Sequence, residues 1–177
     1  MRRFLDRLYT ASGALAALCL ASIAVVMLAQ AAGRELGYLV RGADDIVAWL
    51  CAATAFLALG HTFRRGELVR VGLLIDHLPP RARRVFALGA LTIALVFVGY
   101  MLYAVLLFVY ESWKFHEVAQ GLIQIPIWIP QLSFAAGTLI FFIAVLDEFV
   151  VAVRGGKPAY EAAEEDRRER KDFSESL

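Results

Sequence analysis

The chain has 177 residues, 60% of them hydrophobic and 20% charged, with a net charge of +1. Soluble domains are about half apolar, so this composition excludes an ordinary water-soluble domain, and the near-zero net charge excludes the basic surface of a nucleic-acid binder. Cys19 and Cys51 both lie inside apolar runs, which fits neither a disulfide framework nor a zinc site.

A helix needs about 20 apolar residues to cross a hydrocarbon core of roughly 30 Å. Four segments meet that need, over residues 12–32, 44–63, 85–110 and 128–152. None alternates in polarity as a barrel strand would. The expected fold class is an all-α integral membrane protein, with four transmembrane helices plus short interfacial amphipathic helices. The membrane domain is expected over residues 1–155 and a polar tail over 156–177.

At the start, Phe4, Leu5, Leu8 and Tyr9 share one helical face, with Arg2, Arg3, Asp6 and Arg7 mostly elsewhere. This pattern predicts a short interfacial helix before the first span. The first span ends naturally at Gly33-Arg34-Glu35. Ala29-Gln30-Ala31 has the form of a signal-peptidase site, but the apolar run before it is longer than a usual signal core, so the span is expected to be retained. Asp44 and Asp45 open the second span, where carboxylates can cap free N–H groups and favour the helix dipole.

After the second span, Leu68, Val71, Ile75 and Leu78 share a face, with Arg64, Arg65 and Arg70 around it and Pro79-Pro80 behind it. This predicts a second interfacial helix whose arginines meet anionic headgroups. An ordinary positively charged loop is the other reading. The connection over 111–127 predicts an extended approach through Pro126 to the fourth span. Trp128 sits there as an aromatic-belt residue.

Of the 18 lysines and arginines, fifteen fall in the N-terminal segment, the second connection and the tail. The positive-inside rule therefore puts those segments, and both termini, in the cytoplasm.

Ionisable groups deep in a membrane usually mark function, and no span has one at its centre. His61 is the only histidine within a span, H-E-x-x-H is missing, and no glycine-rich phosphate loop occurs. The reading is that the chain is not an enzyme, with no catalytic residue, metal site or cofactor. No span is visibly interrupted and no inverted repeat is evident, so an accessory or scaffold subunit fits better than a complete transporter.

Three stretches carry a family resemblance. They are Asp44-Asp45-Ile46-Val47-Ala48-Trp49, then Phe56 through Gly66-Glu67, then Val69-Arg70-Val71-Gly72-Leu73-Leu74 with Leu78-Pro79. With Ile125-Pro126-Ile127-Trp128 and the later Gly137, this pattern resembles the small membrane subunit, or Q-type subunit, of the tripartite ATP-independent periplasmic (TRAP) transporters. Leu68 and Gly72 depart from it, standing where many members carry histidine and aspartate.

The resemblance implies a multi-pass protein of the bacterial inner membrane. Its partners would be a large multi-span transport subunit, a periplasmic substrate-binding protein and anionic lipids. The large subunit would carry an organic acid with sodium ions, while the small one serves as scaffold. Residues expected at a partner or lipid interface are Asp44, Asp45, Trp49, Arg64, Arg65, Glu67, Arg70, Pro126 and Trp128. The alternatives are an accessory scaffold subunit of an unrelated membrane complex, or a self-sufficient small transporter.

Overall fold

A computed structural model of the protein describes residues 2–38, 41–65 and 80–155, without the side chains of 2–4 and 80–84. The described residues form four helices: α1 (Arg2–Glu35), α2 (Ala43–Arg64), α3 (Pro80–Lys114) and α4 (Trp128–Val153). Each is long and apolar enough to cross a membrane. The only prolines in them, Pro80 and Pro130, fall in a first turn, where the missing N–H costs nothing.

The helices alternate in direction along the chain but not in space. They form a row in the order α1, α2, α4, α3, so that α2 and α4 are parallel neighbours and α3 packs mainly on α4. Lipid tails are as apolar as leucine, so burial alone does not draw such helices together. Close approach over small residues does. Between α1 and α2, Ser12 Oγ donates to the Leu57 carbonyl at 2.5 Å. Gly13 leaves room there for the His61 ring. Between α2 and α4, Gly137 abuts the Phe56 backbone. Beside it the Phe56 and Phe134 rings stack with centroids 5.2 Å apart. Val98 of α3 and Val145 of α4 belong to one apolar core, which also takes in Tyr9 and Phe63. The row's outer faces expose Leu18, Val25, Leu28, Phe97, Tyr100 and Tyr103.

One expectation changes. The N-terminal amphipathic stretch is no separate interfacial helix. It is the start of α1, a single helix of 34 residues. The physical reason lies in its apolar face. Leu5 packs on the core cluster and Tyr9 is buried within it, so that face meets neighbouring helices instead of lying on a membrane surface. At about 1.5 Å per residue, α1 is about 50 Å long, well beyond a hydrocarbon core of roughly 30 Å. The second expected interfacial helix, residues 67–78, lies outside the described residues, as does the tail from 156.

Candidate functional site at the two ends of the row

Charged side chains gather at the two ends of the row. At one end α2 finishes at Arg64, whose guanidinium bridges three helices. Its Nη2 lies 2.8 Å from Asp6 Oδ1 on α1, and its Nη1 lies 2.8 Å from Asp147 Oδ2 on α4. Glu148 Oε1 is 3.8 Å from the same Nη1, and Glu148 is only 1% exposed. The Arg64 guanidinium also stands 5.3 Å from the centre of the Tyr9 ring. Behind it, His61 Nδ1 is 3.1 Å from the Tyr9 carbonyl. A carbonyl only accepts, so this nitrogen carries the hydrogen.

The sequence reading put Arg64 against headgroups. The structure turns it inward, with its side chain 19% exposed. A planar guanidinium fork can serve two carboxylates at once. That fork places one cation against Asp147, whose side chain is 21% exposed, and within 3.8 Å of the buried Glu148. Arg65 is exposed, while Glu67 and Arg70 lie outside the described residues.

At the opposite end, two glycines with positive φ set the chain path. Gly37 (φ 78) closes α1 in a Schellman turn, with Gly37 N–H to Arg34 O at 3.2 Å and Tyr38 N–H to Gly33 O at 2.8 Å. Gly42 (φ 79) is the N-cap of α2, and no side chain caps that helix. The expectation that Asp44 and Asp45 cap their own helix is therefore corrected. Both remain in its first turn, where the dipole favours them. However, their oxygens accept from elsewhere. Asp44 Oδ1 takes the Gln30 Nε2 donor of α1 at 3.1 Å. Asp45 Oδ2 takes the Ile123 backbone N–H at 3.1 Å. Gly121 packs against the same carboxylate, and a Cβ at either Gly121 or Gly42 would strike its neighbour.

The segment held by Asp45 is a small hairpin. Ala119 N–H bonds to Ile125 O at 2.9 Å, and Ile127 N–H to Glu117 O at 3.0 Å. An isolated bridge pairs Val118 with Pro126. The extended approach expected around Pro126 is one strand of this hairpin. Trp128 then begins α4, half-buried. Trp49, one turn beyond Asp45, is also half-buried.

Sequence reasoning missed the polar chain beneath the hairpin. Gln131 Nε2 donates to Ser112 Oγ at 3.1 Å, and Ser112 Oγ donates to Glu117 Oε2 at 2.7 Å. Ser112 and Gln131 are both buried. The available signal was a polar residue in the last turn of α3 and another in the first turn of α4, which meet once those helices run antiparallel.

The described residues contain no group of three or more His, Cys, Asp or Glu that could hold a metal ion. The arrangement is suited to holding helices and a loop in place. Asp45→Ala is expected to release the hairpin. A hydrogen bond to a charged group contributes about 1.5–3 kcal/mol. Amide exchange over 118–126 should quicken severalfold in this variant and stay unchanged in Asp44→Ala. Equal rates in wild type and Asp45→Ala would show that the carboxylate holds nothing.

The family model for the tripartite ATP-independent periplasmic transporters, DctQ component, matches residues 23–155. The chain belongs to this family. No curated protein matches it. The DctQ match starts within α1 and ends at Gly155, just past α4. It therefore takes in the hairpin end, Arg64 and the two acids of α4, and leaves Asp6 and Tyr9 outside. Membership makes the chain a membrane component of a three-part transporter, as its residue pattern implied.

Proposed function

We propose that this DctQ component is the non-catalytic small subunit of a sodium-driven, binding-protein-dependent transporter for an organic acid. It acts as a stator for a large transport subunit. The observation that carries this reading is the placement of charge. No Asp, Glu, Lys or Arg occurs in residues 8–33, 46–63, 85–110 or 118–146. A sodium ion or a carboxylate substrate crossing the bilayer needs polar partners at depth, and these would come from the large subunit. What this chain offers is a row of helices tied at both ends, with broad apolar faces for lipid and for a neighbour.

Two expected results follow. Reconstituted alone, the chain should give no sodium-driven uptake. Co-expressed with its large partner and a periplasmic binding protein, it should co-purify with the membrane subunit, and uptake of a carboxylate should appear. Robust transport by the single chain would favour a self-sufficient transporter and end the stator reading. In the bacterial inner membrane, reporters fused after Pro80 and after Leu177 should read cytoplasmic, and reporters near Tyr38 and Glu117 periplasmic. A periplasmic C-terminus would overturn the proposed orientation.

A further inference from the structure

The hairpin end of α1 and α2 encloses a cleft of about 140 Å³, lined by Gln30, Arg34, Tyr38, Arg41, Asp44 and Leu122 together with Gly42. This is room for several water molecules, and so for a phosphate group. We propose that the cleft binds the phosphodiester of a phospholipid headgroup.

Charge is the first argument. Among the described residues, Arg34 and Arg41 form no ion pair. The Asp44 carboxylate in the same cleft already accepts from Gln30 through Oδ1. Two arginines and one aspartate leave a surplus of one positive charge, which a phosphodiester neutralises with its single negative charge. A guanidinium fork also matches the two non-bridging oxygens of that group.

The rim supplies the second argument. Tyr38 and Leu122, which line the cleft, are each 74% exposed. Apolar and tyrosine side chains beside cations, at the end of two transmembrane helices, have the composition of a headgroup-level surface. A carboxylate on a soluble partner would satisfy the arginines equally well, but it would leave that apolar rim in water. A lipid brings its glycerol and acyl chains to the same place.

Backbone geometry is the third argument. The Schellman turn at Gly37 folds Tyr38 back to Gly33, beside Arg34. The αL conformation of Gly42 ties Arg41 to the start of α2. Arg34 therefore sits in the last turn of α1, and Arg41 directly precedes the N-cap of α2, on either side of the cleft. The site does not depend on which leaflet it faces, nor on the transporter reading, so the failure of either proposal leaves the other standing.

Native mass spectrometry of the delipidated full chain, titrated with dioctanoyl phosphatidylglycerol, tests this. Wild type should hold one lipid tightly. Each basic group at an anionic surface contributes about fivefold in affinity, so Arg34→Gln with Arg41→Gln should weaken binding roughly 30-fold. Arg34→Lys with Arg41→Lys keeps both charges and should stay within about fivefold of wild type, which separates lost binding from lost folding. Lys114→Gln, at the same end of the row on α3, should change nothing. Dioctanoylglycerol, which lacks the phosphate, should not bind. An undiminished affinity in the double glutamine variant would overturn the proposal, and so would an equal loss in Lys114→Gln. Displacement of the lipid by inorganic phosphate at equal concentration would overturn the lipid assignment and make this a site for free anions.

Discussion

Arg64→Met is expected to destabilise the protein by about 3 kcal/mol, because it removes the cation that joins α1, α2 and α4. Deleting one partner of a buried ion pair costs about 3–5 kcal/mol. The low end applies here, since the Arg64 side chain is 19% exposed and the Asp6 side chain 53% exposed. The exposed Asp6 arm contributes at most about 1 kcal/mol of this. The larger part comes from the 2.8 Å contact with Asp147, whose side chain is 21% exposed. Arg64→Lys should fall between wild type and Met, because an ammonium cannot hold two carboxylates in a fork. Combining Arg64→Met with Asp147→Asn and Glu148→Gln should recover much of the loss, since a neutral buried group needs no counter-ion. The midpoint of denaturant unfolding, followed in detergent on all three variants, checks this. A midpoint unchanged in Arg64→Met would mean that the bridge is a surface contact without weight.

The same bridge marks the boundary of what the sequence could reveal. The four helices were readable because the length of an apolar run alone decides whether it can cross a bilayer. The second span was expected over 44–63 and the helix is Ala43–Arg64. The fourth helix begins at Trp128. Polar turns that prolong a helix past the apolar run carry no such signal, so α1 and α3 came out longer than the spans within them. The partners of the charged residues were hidden for another reason. Arg64 reaches Asp6 and Asp147 across 58 and 83 positions of chain, and Asp45 reaches Ile123 across 78. Local rules see only that an acid opens a helix or that an arginine follows one. Capping and headgroup contact are the readings such rules supply. The true partners emerge only from the spatial order α1, α2, α4, α3, which places the second helix beside the fourth.

That order includes a close helix crossing at Gly137. Gly137→Leu is expected to separate α2 from α4 and to abolish assembly of the native row. A Cβ at Gly137 would lie 2.5 Å from the Phe56 carbonyl carbon and 2.6 Å from its oxygen. These are backbone atoms in the middle of α2, so no rotamer change can relieve the contact, and the helices themselves must part. Overpacking of a fitted interior costs about 1–3 kcal/mol, occasionally more. Parting the helices would also loosen the Phe56–Phe134 stack beside the crossing and disturb α3, which rides on α4. Gly137→Ala should lie between. Its clash is set against a gain of about 0.8–1 kcal/mol from replacing glycine within a helix. Gly89 on α3 supplies the control, for a Cβ there meets nothing within 4 Å. Gly89→Ala should therefore keep the propensity gain and be neutral or slightly stabilising. Unfolding midpoints for the three variants distinguish the two contributions. If Gly89→Ala and Gly137→Ala shift the midpoint alike, close approach is not what the glycine at 137 provides, and the α2–α4 contact must rest on its phenylalanines instead.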